Sequence, residues 1–177
     1  MKEETAIVLE YLPNGYPLEK KMMPLAQAIG EDNYTLLELV PRRGIILEPG
    51  ESVYIGQNKR DKIYYILGRL SKEKLTESAK QQLSEFIKKV AEKKEKEFVD
   101  FFNKAEAINK RFHQIGLLPG LGKKHTEEII KQRQEKPFES FEDMKKRIPN
   151  LPDPQKSIEK RMFKELTEIE RYNLFVK

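Results

Sequence analysis

The 177-residue sequence contains no cysteine and only two histidines, His113 and His125. Without thiols there can be no disulfide framework, no thiol nucleophile and no thiolate zinc site, and a transition-metal site would have to depend on carboxylates. Apolar runs are short, since the stretch 63–67 is far below the roughly 18 consecutive apolar residues of a membrane span. The start of the sequence lacks a basic patch followed by an apolar stretch. We therefore expect no signal peptide, no membrane association and a cytoplasmic location.

The charged side chains are divided unevenly along the chain. Lysine and arginine total 34 against 29 acidic residues, which gives a net charge of +5. Residues 1–70 hold 9 basic and 10 acidic side chains, whereas residues 71–177 hold 25 basic and 19 acidic ones. Attraction to a polyanion such as nucleic acid is therefore expected in the second half. The alternative is a solvated, lysine-rich helical surface, because blocks of both signs alternate there.

The first 70 residues have the pattern of short strands separated by turns. Runs rich in β-branched, leucine and tyrosine residues occur at 5–11, 34–40, 51–57 and 62–70. Glycine, proline, asparagine and aspartate, the residues that favour turns, lie between these runs. Four or five strands in this length predict a small barrel of the OB or SH3 kind. Separate hairpins packed on a helical core are the alternative.

After residue 70 the apolar period changes from two to three or four. Apolar residues at this spacing form one helical stripe over 75–90 and a second over 98–108, with a charged run at 92–97 between them. Three shorter helical patterns follow, at 123–134, 140–148 and 154–166. We therefore predict an α+β chain of two domains. A small OB-like β-barrel covers residues 1–70, a connecting helix covers 71–97, and an all-α domain covers 98–177.

The most specific local pattern is Leu-Leu-Pro-Gly-Leu-Gly-Lys-Lys at residues 117–124, which has helix-forming sequence on both sides. Gly120 and Gly122 permit backbone conformations that a Cβ excludes, and Leu121 between them can point into a core. A helix that begins directly after such a turn presents free backbone N–H groups and its positive dipole end, which together form an anion site. Three residues that can carry positive charge surround this site: Lys123, Lys124 and His125. We predict that it binds a phosphate of a nucleic-acid backbone.

This segment resembles the helix-hairpin-helix motif, whose hairpin has the pattern apolar-x-Gly-apolar-Gly followed by small or basic residues. Leu118 stands at the first apolar position and the match is complete. An ordinary αα-hairpin with a glycine cap is the alternative. A faint second copy occurs at residues 148–152, where Asn150 can adopt a left-handed turn but Pro152 has no N–H to donate. We expect this second hairpin to be structural and to contact phosphate weakly or not at all.

Further blocks extend the resemblance over nearly the whole chain. They are EYLPNG at 10–15, TLLEL at 35–39, VYIG at 53–56, FVDFFNKA at 98–105 and RYNLFV at 171–176. Together they resemble the prokaryotic, mainly archaeal, family known as domain of unknown function 655. The resemblance implies an OB-like β domain joined to a helix-hairpin-helix domain and a role with nucleic acid. It implies no reaction.

Other aromatic and basic residues are weaker candidates. Tyr54 and Tyr64, placed on two strands expected to be adjacent, could stack on bases, although tyrosines also simply cover small barrels. Four loop residues at the barrel rim could reach phosphates or could be ordinary solvated side chains: Arg42, Arg43, Lys59 and Arg60. Four phenylalanines have helical spacing that predicts core positions, namely Phe98, Phe101, Phe102 and Phe112.

These patterns favour a non-enzymatic protein that binds RNA or DNA without strong sequence preference and needs no cofactor or metal. One alternative is a DNA glycosylase/lyase, because bifunctional helix-hairpin-helix glycosylases carry a catalytic lysine where Lys124 stands and an aspartate downstream, for which Asp143 is the candidate. Another alternative is a scaffold in which both domains bind protein.

Overall fold

The structure, a computed structural model, describes residues 2–177 and divides into two compact units. Unit 1 runs to Phe86 and also includes Glu165–Lys177, whereas unit 2 is Ile87–Lys164. Strands occur only in the first part of the described chain and α-helices follow them, so the α+β class predicted from the sequence is confirmed. Among the described residues, no helix is long and apolar enough to cross a membrane.

Unit 1 contains a five-stranded antiparallel sheet that curls into a half-barrel. Its strands are β1 (Thr5–Leu12), β2 (Leu25–Gly30), β3 (Leu36–Pro41), β4 (Ser52–Tyr54) and β5 (Ile63–Arg69), in the order β4-β1-β2-β3-β5. The sequence pattern predicts four of these strands and misses β2. All six residues of β2 are buried, as are those of β3, but the β2 sequence LAQAIG has only one β-branched residue and no aromatic one, so neither alternation nor strand composition marks it.

The inner side of the half-barrel forms the apolar core of unit 1. Small side chains on β1 and β2 contribute to it together with larger ones from the other strands and from the loop before β4. The cluster comprises Ala6, Val8, Ala26, Ala28, Leu37, Leu39, Leu47, Val53, Ile55 and Ile63. Mixing small and large inward-facing residues is how small barrels fill their interior, which accounts for the alanine-rich β2.

A buried polar network joins the sheet to the first helix. The side chain of Gln27 on β2 is fully buried; its Nε2 donates to the carbonyl oxygen of Lys74 at 2.7 Å, and its Oε1 accepts the Thr76 N–H at 3.2 Å. Thr76 in turn accepts the N–H of Ala79 and so caps helix α1 (Glu77–Lys93). Because buried polar atoms need partners, these bonds fix where the chain passes from sheet to helix.

Four more helices follow, close to the predicted ranges: α2 (Glu95–Lys104), α3 (Lys123–Glu135), α4 (Phe141–Arg147) and α5 (Pro154–Thr167). A short 3₁₀ turn, Ile115–Leu117, precedes α3. Helix α2 ends before the predicted stripe does. The guanidinium of Arg133 donates to the carbonyl oxygens of Phe102 and Ala105 there, which satisfies the end of the helix.

The C-terminal segment belongs to unit 1, although the sequence pattern assigned 98–177 to the helical domain. Glu165 is fully buried, and its carboxylate accepts the backbone N–H groups of Leu174, Phe175 and Val176 at 2.9–3.0 Å. Lys72 donates to the carbonyl oxygen of Glu165 at 2.7 Å. These contacts between distant parts of the chain leave no periodic signal in the sequence.

Candidate functional site

The hairpin between Ile115 and α3 is closed by one short backbone turn. The N–H of Leu121 donates to the carbonyl oxygen of Leu118 at 3.1 Å, and both leucine side chains are buried. Gly120 lies between them with a φ of +85°, in the left-handed region that favours glycine. The two leucines therefore anchor the hairpin in the core of unit 2 while its tip stays at the surface.

The expected left-handed conformation occurs at Gly120 but not at Gly122. Gly122 has φ −87° and ψ −169°, which any residue can adopt. Beyond its chain neighbours, a Cβ at Gly122 would meet no atom within 4 Å among residues 2–177. The sequence prediction that both glycines need backbone freedom is therefore wrong for Gly122. Nothing in the described fold requires a glycine there, and its missing side chain leaves the helix end open.

Gly122 is the N-cap residue of α3, and no side chain of the described residues caps this end. Its carbonyl oxygen accepts the N–H of Thr126 at 3.0 Å and the Thr126 hydroxyl at 2.9 Å. Lys123 and Lys124 are exposed in the first turn, which contains no acidic residue, and His125 is half-buried beside them. The free N–H groups, the helix dipole and the two ammonium groups thus favour an anion at the same place.

The faint second copy has the same turn but a different helix end. Asn150 has a φ of +62°, as its left-handed potential predicts, and the Leu151 N–H donates to the Ile148 carbonyl oxygen at 3.4 Å. The carboxylate of Asp153 then accepts the N–H groups of Gln155 at 3.0 Å and Lys156 at 3.4 Å. Since a carboxylate already occupies the N-terminus of α5, this end is closed to a phosphate.

The two hairpins contact each other within unit 2. The hydroxyl of Ser157 on α5 donates to the carbonyl oxygen of Pro119 at 2.8 Å. A Cβ at Gly120 would lie 3.7 Å from the Cβ of Pro152. The second hairpin therefore supports the first, and one side chain of α5 holds its backbone in place.

A cavity of about 570 Å³ lies beside the first hairpin, and we refer to it as the Phe112 cavity. Its lining includes Lys110, Arg111, Phe112, Lys123, Glu127 and Ile130. Phe112 is 44% exposed, whereas its helical spacing predicted a core position; α2 has already ended, so the residue lies in a loop. Of the other three phenylalanines, Phe98 and Phe102 are buried and Phe101 is half-buried.

Comparison with known proteins identifies the family. The model of the family described as "Protein of unknown function (DUF655)" matches residues 2–177. The chain belongs to this family. It is 41% identical over 177 residues to the uncharacterised protein MJ0038 of Methanocaldococcus jannaschii, with 99% of this chain and 80% of that protein covered. It is also similar to the DUF655 protein Af1531 of Archaeoglobus fulgidus, with 42% identity, a TM-score of 0.86, and 99% of this chain and 100% of the solved chain covered.

The two residues of the lyase alternative, Asp143 and Lys124, both lie in unit 2 of this DUF655 protein. Asp143 Oδ2 accepts the Glu139 N–H at 3.1 Å and lies 3.3 Å from the Arg147 guanidinium. The bond from Glu139, followed by the neighbouring Arg147, lowers the pKa of Asp143, which suits an anionic helix cap and not a proton carrier. Lys124 is exposed on α3. A Schiff-base lysine is usually activated by burial or by a cationic neighbour; Lys124 is not buried, although Lys123 adjoins it in the sequence.

The basic residues predicted for the barrel rim come together at two neighbouring loops of the half-barrel in unit 1. Arg42 donates from Nε to the Arg60 carbonyl oxygen at 2.6 Å, and Arg60 donates from Nε to the Gly56 carbonyl oxygen at 2.8 Å. Arg43 and Lys59 are exposed on the same loops. Arg42 and Arg60 therefore hold the loop backbones together, which favours a structural role over phosphate binding for these two arginines.

The two tyrosines proposed for stacking are not on adjacent strands. Strands β4 and β5 stand at opposite ends of the strand order, which separates Tyr54 from Tyr64 in the hydrogen-bonded sheet. Tyr64 is 64% exposed, whereas Tyr54 is half-buried and its hydroxyl accepts the Asn58 N–H at 3.0 Å. The expectation of a shared stacking surface on neighbouring strands is wrong, because β1, β2 and β3 lie between them.

Sequence reasoning did not identify Lys110 and Arg111 as site residues. Both follow Asn109 in a turn-forming run that ends in Phe112, and this run of basic residues next to an aromatic one was the available signal. Their position beside α3 depends on how the loop folds back after α2. That return path is set by the Arg133 and Gln114 side chains, which no local pattern reveals.

Proposed function

We propose that this chain is a non-enzymatic nucleic-acid-binding protein that holds backbone phosphates at the Gly120-Leu121-Gly122 hairpin, largely independently of base sequence. In this proposal unit 2 is a helix-hairpin-helix domain and the half-barrel of unit 1 is OB-like. The hairpin sequence at residues 118–124 and the curled five-stranded antiparallel sheet support these readings.

The contrast between the two hairpin helices is the observation that carries the proposal. Two hairpins share the same backbone turn, but α5 is capped by the Asp153 carboxylate and α3 has no side-chain cap among the described residues. A helix end without a cap leaves polar groups unsatisfied unless water or a ligand meets them. Lys123 and Lys124 make an anion the preferred ligand. Backbone N–H groups and lysines read phosphate charge and carry no base information, so weak sequence preference follows.

Replacing Lys123 and Lys124 together with Gln is expected to weaken binding about equally for unrelated sequences. Each lysine that neutralises a phosphate adds about one unit to the slope of log affinity against log salt, so the slope should fall by about two. The free energy of unfolding should change by no more than about 0.5 kcal/mol, because both side chains are exposed. Fluorescence anisotropy with labelled RNA and DNA at several salt concentrations measures the slope.

A matched control is the Lys145→Gln, Lys146→Gln double variant on α4, which removes the same charge from the same unit. We expect this control to keep the wild-type salt slope. An unchanged slope in the hairpin variant would show that the hairpin does not bind phosphate. Arg43 and Lys59 would then be the leading candidates. Absence of wild-type binding to RNA and DNA at low salt would favour the protein scaffold.

The non-enzymatic part of the proposal predicts no covalent intermediate with damaged DNA. Lys124 is exposed, so burial does not activate it as a nucleophile, and the Asp143 carboxylate already binds the Glu139 N–H and Arg147. Borohydride added to a mixture of the protein and abasic-site DNA should yield no cross-linked product on a denaturing gel. An adduct that disappears in Lys124→Gln would establish the lyase instead.

A further inference from the structure

The Phe112 cavity combines an aromatic wall with positive charge directly beside the hairpin. Phe112 and Ile130 are its large apolar side chains. Lys110, Arg111 and Lys123 supply three positive charges against the single acid Glu127. At about 570 Å³, the space lies within the range of natural small-ligand pockets, which is about 300–1,000 Å³. Its chemistry therefore suits a flat, partly apolar group that is attached to an anion.

Hydrogen bonds within the loop that carries Phe112 fix the conformation of its backbone. The N–H of Ile108 donates to the Phe112 carbonyl oxygen at 2.8 Å. The side-chain oxygen of Asn109 accepts the N–H groups of Arg111 at 2.8 Å and Phe112 at 2.9 Å. Ala107 pairs with His113 as an isolated β-bridge. Burial of a phenylalanine ring stabilises a fold, so an ordered loop that leaves this ring 44% exposed favours contact with a ligand over a role in the core.

Building on the proposed function, we propose that the Phe112 cavity takes one unpaired base of a single-stranded nucleic acid whose phosphate lies at the N-terminus of α3. Gly122 and Lys123 belong both to the cavity lining and to the helix end, so the base and the phosphate sites adjoin. A base stacks on an aromatic ring irrespective of its identity, which preserves the weak sequence preference. A base that is paired in a duplex cannot enter the cavity without being unpaired.

The test compares single strands with duplexes. Labelled oligo(dT) and oligo(U) of about 12 nucleotides, and the duplex of each with its complement, are titrated with the full chain. The variants are Phe112→Ala, Phe112→Leu and Phe112→Tyr. Wild-type protein should prefer the single strands. Loss of the ring in Ala and Leu should weaken single-strand binding about tenfold, since stacking contributes about 1–3 kcal/mol per base. Tyr should retain the wild-type affinity.

The variants separate this inference from the proposed function. Phe112→Leu keeps the apolar bulk of the side chain. A fall in affinity that Phe112→Ala and Phe112→Leu share, and that Phe112→Tyr does not show, would therefore be caused by lost stacking and not by misfolding. Duplex affinity should be unchanged in all three variants. Equal wild-type affinity for single strand and duplex would overturn the base site, as would Phe112→Leu binding like wild type. In either case a salt slope that still depends on Lys123 and Lys124 would leave the phosphate site standing.

Discussion

Gly122→Asp is expected to weaken nucleic-acid binding strongly while leaving the protein slightly more stable. Gly122 has the backbone conformation of an N-cap residue, and its side chain would enter open space. An aspartate there can accept the free N–H groups of α3 in the way that Asp153 accepts those of α5. Asp is a better N-cap than Gly by a few tenths of a kcal/mol, and its charge also suits the helix dipole.

The same carboxylate would occupy the proposed phosphate position and repel a phosphate. Losing hydrogen bonds to a charged group costs about 1.5–3 kcal/mol, which corresponds to a roughly tenfold to hundredfold lower affinity. Gly122→Asn is the matched variant, since it caps the helix without charge and should lose less affinity. Thermal unfolding and anisotropy together provide the measurement. Wild-type affinity in Gly122→Asp, at unchanged or higher stability, would show that the helix end does not hold phosphate.

A contrasting result is expected at Gly120, where the backbone requires glycine. At a φ of +85° an alanine costs about 1 kcal/mol or more, so Gly120→Ala should lower stability. The two glycines of one motif thus have different roles. Only the role of Gly120 was predictable from the conformational freedom of glycine, because the role of Gly122 depends on the empty space around it.

Local patterns predicted most of the fold. Helices α3, α4 and α5 match their predicted bounds closely because apolar stripes and caps are local, as with Ser140, whose hydroxyl accepts the Asp143 N–H before α4. Strand β2 was missed because it is buried on both faces and its alanines, Gln27 and Gly30 lack the β-branched and aromatic composition typical of strands. The assignment of Glu165–Lys177 to unit 1 depends on a buried carboxylate and distant backbone groups.

The candidate site also has one part that the sequence predicted and one part that it did not. The hairpin of residues 118–124 was predictable, since its turn, its buried leucines and the helix that follows are consecutive in sequence. The Phe112 cavity was not predictable, because helical spacing grouped Phe112 with the phenylalanines of α2, and that helix ends at Lys104. The exposure of its ring follows from hydrogen bonds within the loop, such as those accepted by Asn109. Spacing identifies which residues can share a face, but it does not show where a helix stops.

Glu3→Ala is expected to be among the most destabilising single changes in unit 1. The Glu3 side chain is only 7% exposed, and its carboxylate accepts three backbone N–H groups of the β2–β3 hairpin: Asp32 at 2.9 Å, Asn33 at 2.9 Å and Thr35 at 3.2 Å. It also lies over Gly30, where a Cβ would collide with it. The segment before β1 therefore holds this hairpin chiefly through the Glu3 carboxylate, and the Glu4 N–H, which donates to Asp32 Oδ2 at 3.0 Å, adds a further bond.

Removing that carboxylate leaves three backbone N–H groups without their acceptor, in a place that the Glu3 side chain had shielded from water. Hydrogen bonds to charged groups contribute about 1.5–3 kcal/mol and unsatisfied buried donors cost a similar amount, so we expect a loss of about 2–4 kcal/mol in the free energy of unfolding. Urea unfolding of the full chain followed by circular dichroism measures it. Glu3→Gln, which keeps an acceptor oxygen, should lose less, and Glu48→Ala at an exposed position should change little. If Glu3→Ala is no more destabilising than Glu48→Ala, then the Glu3 carboxylate is not what holds the β2–β3 hairpin. The hairpin would then depend on its other bonds, such as the N–H of Gly30 donating to the Thr35 carbonyl oxygen at 2.8 Å.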